Sequence, residues 1–218
     1  MFVRPNQFRN AKADVQMFYQ NGAWTKPVGV SQVYMMLIGG GAVGNNSTVG
    51  GGSGNVTTWF GAAQNVPNNL VISPAIPVAS TNTAGNSTII SYRGTSLNTL
   101  LTASGGNNTG AAPTADTVNT FGNSGFFQSV EGQPGNSLGI AASATTFLSG
   151  GGSGSNTTTA NYGYSIAAGV NQGFFMLQPI IVACAKSINT SANNQPIGCG
   201  GCISSGTAGP GFVLIASW

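Results

Sequence analysis

Hydrophobic positions recur along this chain with the two-residue period of strands and hardly anywhere with the 3.6-residue period of helices. Val15, Met17 and Tyr19 alternate with polar neighbours and predict a strand. GAWTKPVG, just after it, reads as a turn. Val30–Ile38 (VSQVYMMLI) ends in a near-continuous apolar run, the pattern of a strand buried on both faces. Asn55–Asn65 (NVTTWFGAAQN) and Leu70–Val78 (LVISPAIPV) follow, and Pro74 and Pro77 put part of the latter at an edge or irregular end. Ser87–Arg93 alternates cleanly, and 98–102 is expected to pair nearby. From Ala103 to Ser143 the chain is mostly Gly, Asn, Ala, Thr and Ser, broken by Phe121 and the pair Phe126 and Phe127. Strand character returns at Tyr162–Ala168 (YGYSIAA) and Gly173–Ala183 (GFFMLQPIIVA). The terminal GFVLIASW, Gly211–Trp218, is apolar enough to lie centrally beside Val33–Ile38.

These elements predict an all-β chain: an antiparallel β-sandwich, jelly-roll-like, with long Gly/Asn/Ser/Thr-rich loops. Residues 1–22 read as a basic N-terminal arm and residues 23–218 as a single glycine-rich sandwich domain. Glycine permits close backbone packing, and Asn, Ser and Thr cap loop amides locally.

Charge sharpens the division. Of 218 residues only 4 % are charged, against about a quarter in an average protein. Arg4, Arg9, Lys12, Asp14 and Lys26 all fall in the first 26 residues. The body is otherwise close to neutral, so the arm is the only electrostatic handle. It carries too few cations for a nucleic-acid surface, where affinity rests on many phosphate contacts. The apolar runs Val33–Ile38 and Ile180–Ala185 fall far short of the ~20 residues that span a bilayer, so no membrane insertion is expected. The start, MFVRPNQFRNAKADVQMFYQ, lacks the apolar core of a secretory signal.

The chemistry is restricted by what is missing. There is no histidine, so Ser-His-Asp and Cys-His pairs are excluded. General acid and base work would need two of Asp14, Asp116 and Glu131, which lie far apart in sequence. Cys199 and Cys202 form C-G-G-C in a glycine loop, read as loop filler ahead of a disulfide or half a metal site. Cys184, inside LQPIIVACA, reads as a small core residue. Gly39, Gly41 and Gly44 spell G-x-G-x-x-G after VYMMLI, but NNSTVGGGSGN cannot open the helix that a dinucleotide site needs. Neither an enzyme nor a cofactor or metal site is expected.

Two end motifs carry a resemblance. WTKPVGVSQVYMMLIGGG (Trp24–Gly41) and GPGFVLIASW (Gly209–Trp218) resemble the glycine-rich domain virion proteins of tailed bacteriophages, of tail-fibre and head-decoration type, as in uncultured aquatic phages. QGFFMLQPIIVACAKS followed by IGCGGCISSGTAGPG, and RGTSLNTLLTASGG, are similar to internal segments of such proteins. The long polyglycine runs of relatives shrink here to GGG at 39–41, 50–52 and 150–152, which argues against a polyglycine-II packing.

The resemblance implies a virion surface protein, made in the host cytoplasm and built on a β-sandwich. With the basic arm it leads to a capsid decoration or head-fibre protein, docked on capsid or tail proteins through Arg4, Arg9 and Lys12. Self-association as a trimer is the working expectation. The alternative is a receptor-binding module at a tail-fibre tip, contacting a host glycan or protein through Tyr162 and Tyr164, with Phe126 and Phe127 as further contacts or core. A third reading, a non-viral surface or ice-binding protein, would want a regular repeat, and none is visible.

Overall fold

The computed structural model describes residues 13–44, 50–80, 82–109, 111–132, 161–162, 186–187, 197–198, 200 and 207–218. The strands are β1 (Asp14–Phe18), β2 (Gly22–Thr25), β3 (Gln32–Ile38), β4 (Val56–Ala62), β5 (Asn69–Ser73), β6 (Thr88–Arg93), β7 (Leu97–Ala103), β8 (Phe126–Val130), β9 (Asn161–Tyr162), β10 (Lys186–Ser187) and β11 (Phe212–Ser217). They form a five-stranded sheet, β1-β11-β3-β4-β8, and a four-stranded sheet, β2-β5-β6-β7. All pairings are antiparallel, and the two sheets make the expected all-β sandwich. β9 and β10 pair separately as a short ladder.

The terminal strand lies where its composition puts it, between β1 and β3, with Leu214 opposite Met36. Residues 14–18, inside the stretch read as arm, pair along β11 and are part of this sheet. GAWT is a strand rather than a turn: Trp24 fills the space between the sheets, 1 % exposed, and β2 pairs with β5. β8, hidden in low-complexity sequence, pairs with β4. The prolines come just after β5, where the ladder has already ended.

The main core lies between the sheets. Val33, Met35 and Leu37 of β3, Val213 and Ile215 of β11 and Trp59 of β4 pack against Trp24, Leu70, Ile72, Ile90 and Leu101. Burying each such side chain contributes about 1.5–3 kcal/mol. The Trp59 ring stacks on Phe121, centroids 4.6 Å apart, and occupies space that a Cβ at Gly61 or Gly125 would take. The opposite face of the five-stranded sheet is also apolar. Met36, Ile38, Val56, Phe212, Leu214 and Ala216 form a second buried cluster there.

Register gives the sandwich two unlike ends. Asp14, Ser217, Val33 and Gly61 line up at one of them, where the N-terminal arm joins β1. Ile38, Phe212, Val56 and Val130 line up at the other, and glycine-rich chain runs on from these strands.

Candidate functional site

At the glycine end the backbone changes its bonding rule. Amides along a strand alternate between two coplanar neighbours. Beyond Ile38 they instead turn through successive directions. Gly39 N–H donates to Asn55 O (2.9 Å), Gly40 to Asn86 O (3.0 Å), Gly41 to Gly209 O (2.9 Å) and Ala42 to Gly52 O (2.9 Å). Gly106 N–H returns a bond to Gly40 O (2.8 Å), and Gly85 donates to Gly106 O (2.9 Å). Gly52 donates to Asn107 O (2.9 Å), Gly54 to Gly198 O (3.0 Å) and Gly198 to Pro210 O (2.8 Å). Segments 39–44, 50–55, 83–87, 104–107, 197–198 and 207–211 therefore knit into a three-dimensional bundle. Bonding that rotates around the chain belongs to left-handed, three-residue-per-turn backbone, which crowds out side chains at its contacts. A Cβ at Gly85 would collide with the Gly40 carbonyl, and one at Gly106 with the Gly52 carbonyl.

Partners recur every three residues, Gly39 and Ala42 bonding the 50–55 segment and Gly40 and Val43 the 83–87 segment, a bonding pattern like that of polyglycine II despite the short GGG runs. A long run is unnecessary, because each segment lends only one to four glycines. Ala42, Ser53, Asn55, Asn86 and Ser104 occupy positions between the crowded ones. The G-x-G-x-x-G of 39–44 belongs to this bundle, and the next described element after it is the strand β4.

Two polar side chains tie the bundle to the sandwich. Thr88 Oγ1 donates to Ile38 O (2.6 Å) and accepts from Ala75 N–H (2.9 Å), joining the two sheets. Asn55, fully buried, donates to Thr114 O (2.8 Å) and to the Asp116 carboxylate (3.0 Å), and its Oδ1 accepts from Gly132 N–H (2.9 Å). Asp116 also takes the Ser104 N–H (3.0 Å) and the Ser104 hydroxyl, with the Thr57 (3.2 Å) and Ser129 (3.3 Å) hydroxyls in reach. Its own N–H donates to Ser129 Oγ (2.9 Å). The acid that could have served catalysis is thus the pin of the long 104–125 loop. Charge-assisted bonds are roughly twice as strong as neutral ones, which accounts for a carboxylate at this point of a nearly uncharged body.

On the flank of this tip is an open hollow of about 350 Å³ between Tyr19–Asn21, Pro74–Pro77 and Pro210. Tyr19 and Ile76 are 59 % and 69 % exposed there. Tyr19 also leans on Phe212, centroids 5.1 Å apart.

The expected site residues fare unevenly. Arg4, Arg9 and Lys12 lie outside the described residues, as do Tyr164, Cys184, Cys199 and Cys202. Tyr162 is in β9, its backbone paired with Lys186. The Phe pair divides: Phe127 packs on the inner core, and Phe126 is 79 % exposed on the opposite face. Phe126, Phe60 and Trp218 form a row of nearly parallel rings, centroids 6.4 and 6.0 Å apart, towards the arm end. Sequence reasoning missed Tyr19, Asn55 and Asp116 as members of this end. The available signal was Asp116 itself, since a lone acid in a charge-poor loop calls for a cluster of donors.

A scan against protein-family models finds no match to this chain, and a search of curated proteins finds no similar sequence.

Proposed function

We propose that this chain is a structural protein of a tailed-bacteriophage virion. Its arm docks on the particle, and its glycine tip faces outward. The observation that supports this most is the polarity of the sandwich. The arm joins at Asp14, beside Ser217, whereas the bundle grows from Ile38, Val56 and Phe212 at the other end. Docking through Arg4, Arg9 and Lys12 would leave the tip free. The two motifs that resemble phage virion proteins also meet in space. Gly41 N–H bonds to Gly209 O, and β3 pairs along β11. A capsid decoration or head-fibre role suits a single sandwich whose surface charge is concentrated in one arm.

A second reading, a receptor-binding module at a tail tip, is favoured by the uncharged tip and the open hollow beside Tyr19. It would hydrogen-bond a host glycan or protein without charge steering.

Particles assembled with a chain lacking residues 1–13 test the first reading. We expect the truncated protein, though folded, to be missing from purified virions. Normal loading would overturn arm docking. Competition of purified protein with phage adsorption to host cells would favour the second reading, and its absence at micromolar protein would count against it.

A further inference from the structure

The hollow on the flank of the tip combines a rigid apolar wall with a wall of free polar groups. Its volume of about 350 Å³ lies within the roughly 300–1,000 Å³ of small-molecule sites. The first wall is fixed. Pro74, Pro77 and Pro210 have no side-chain rotamers to lose on binding. Ala75 N–H donates to Thr88 Oγ1 (2.9 Å), Gly211 N–H to Ala75 O (2.8 Å), Asn86 Nδ2 to Ile76 O (3.0 Å) and Gly198 N–H to Pro210 O (2.8 Å). The second wall is Tyr19, Gln20 and Asn21, the link between β1 and β2. The Tyr19 ring is steadied by Phe212 yet stays 59 % exposed. Its hydroxyl meets only the Met17 sulfur, at 3.9 Å. Gln20 and Asn21 are exposed, and neither side chain makes a hydrogen bond among the described residues. No described Asp, Glu, Lys or Arg lines the hollow.

We propose that this hollow binds a neutral saccharide, stacked on Tyr19 and hydrogen-bonded by Gln20 and Asn21. It names the ligand of the hollow in the receptor-binding reading, and it rests on that reading for its biological role. The chemistry of the walls selects this class. A sugar ring carries an apolar C–H face beside vicinal hydroxyls. The C–H face suits an aromatic ring and the flat sides of prolines. Each hydroxyl both donates and accepts, and a primary amide does both from neighbouring atoms. An ionic ligand would find no counter-charge here. A purely apolar ligand would bury both amides unpaired, at a cost. A peptide backbone would find no N–H on the proline wall.

Amide NMR of the full chain, titrated with maltose, lactose, cellobiose and N,N′-diacetylchitobiose, tests this. At least one sugar should shift the amides of Gln20, Asn21, Ile76 and Gly211 saturably, with a midpoint at or below about 10 mM. Tyr19→Ala, and separately the double variant Gln20→Ala/Asn21→Ala, should each weaken binding at least about tenfold, while Trp fluorescence still reports an intact core. Should Tyr19→Ala disturb the fold through Phe212, the double variant decides, since its side chains bond to nothing else among the described residues. Added salt, about 0.5 M, should leave the midpoint within about twofold, because no charge takes part. Absence of a saturable shift with every one of these sugars would overturn the proposal. So would binding that survives the double variant, or binding that salt abolishes. Adsorption competition separates the ligand from the role. Sugar binding without competition would support the site and sink the receptor role. Competition without sugar binding would overturn the saccharide in favour of a protein receptor.

Discussion

The two ends of the sandwich are closed by different groups. At the arm end side chains act beside the backbone bonds that Ser31, Gln32, Ala63 and Trp218 make. Lys26 Nζ reaches across to Ala63 O (2.9 Å) and Val66 O (2.7 Å), Ala63 and Val66 are buried, and Trp218 stacks over Phe60. At the glycine end backbone meets backbone, and Thr88, Asn55 and Asp116 supply the few side-chain ties. The energetics differ accordingly. A buried side chain contributes about 1.5–3 kcal/mol. A net hydrogen bond contributes about 1 kcal/mol, and fixing a glycine costs about 0.5–1 kcal/mol more than fixing alanine. The bundle is thus near break-even by itself. It is held because it grows from strands that the core has already fixed. The core sets stability, and the bundle sets the shape of the tip.

Substitutions can break this contrast. The largest effect belongs to the core: Trp59→Ala should cost about 3–5 kcal/mol, read as a lower denaturation midpoint of the whole chain. Gly85→Val and Gly106→Val should come next. Their side chains meet backbone carbonyls that cannot swing away, so we expect about 1–3 kcal/mol, with faster amide exchange confined to the tip. If either behaves like Trp59→Ala and unfolds the sandwich uniformly, the division of labour is wrong. Asp116→Asn should follow at about 1–2 kcal/mol, because an amide nitrogen would face donors on Ser104 or Asn55. Limited proteolysis within 104–125 would report it. Phe126→Ala, at an exposed position, should fall within about 0.5 kcal/mol in the same denaturation assay.

Most of the sandwich could be read from the sequence because strands announce themselves locally. Alternation marks β6, and unbroken apolar character marks β3 and β11, including their pairing. β2 escaped because four residues ahead of Lys-Pro look like a turn, and only the opposite sheet reveals that Trp24 is buried. β8 escaped because its polar context masks a short run. The bundle escaped for a deeper reason. Its rule is a relation among six segments far apart in sequence, each contributing too few glycines to stand out. Asp116 could be seen as chemically unusual, but its role depends on Asn55, Ser104 and Ser129 converging, which no local pattern encodes.

The central claim is that the glycine segments form a fixed, hydrogen-bonded tip rather than open loops. Residue-resolved amide exchange of the intact protein tests it most directly. Gly40, Gly41, Gly85 and Gly106 should be protected to within about tenfold of the β3 amides at Met35 and Leu37. Exchange of those four glycines at unprotected rates, with β3 still protected, would contradict it.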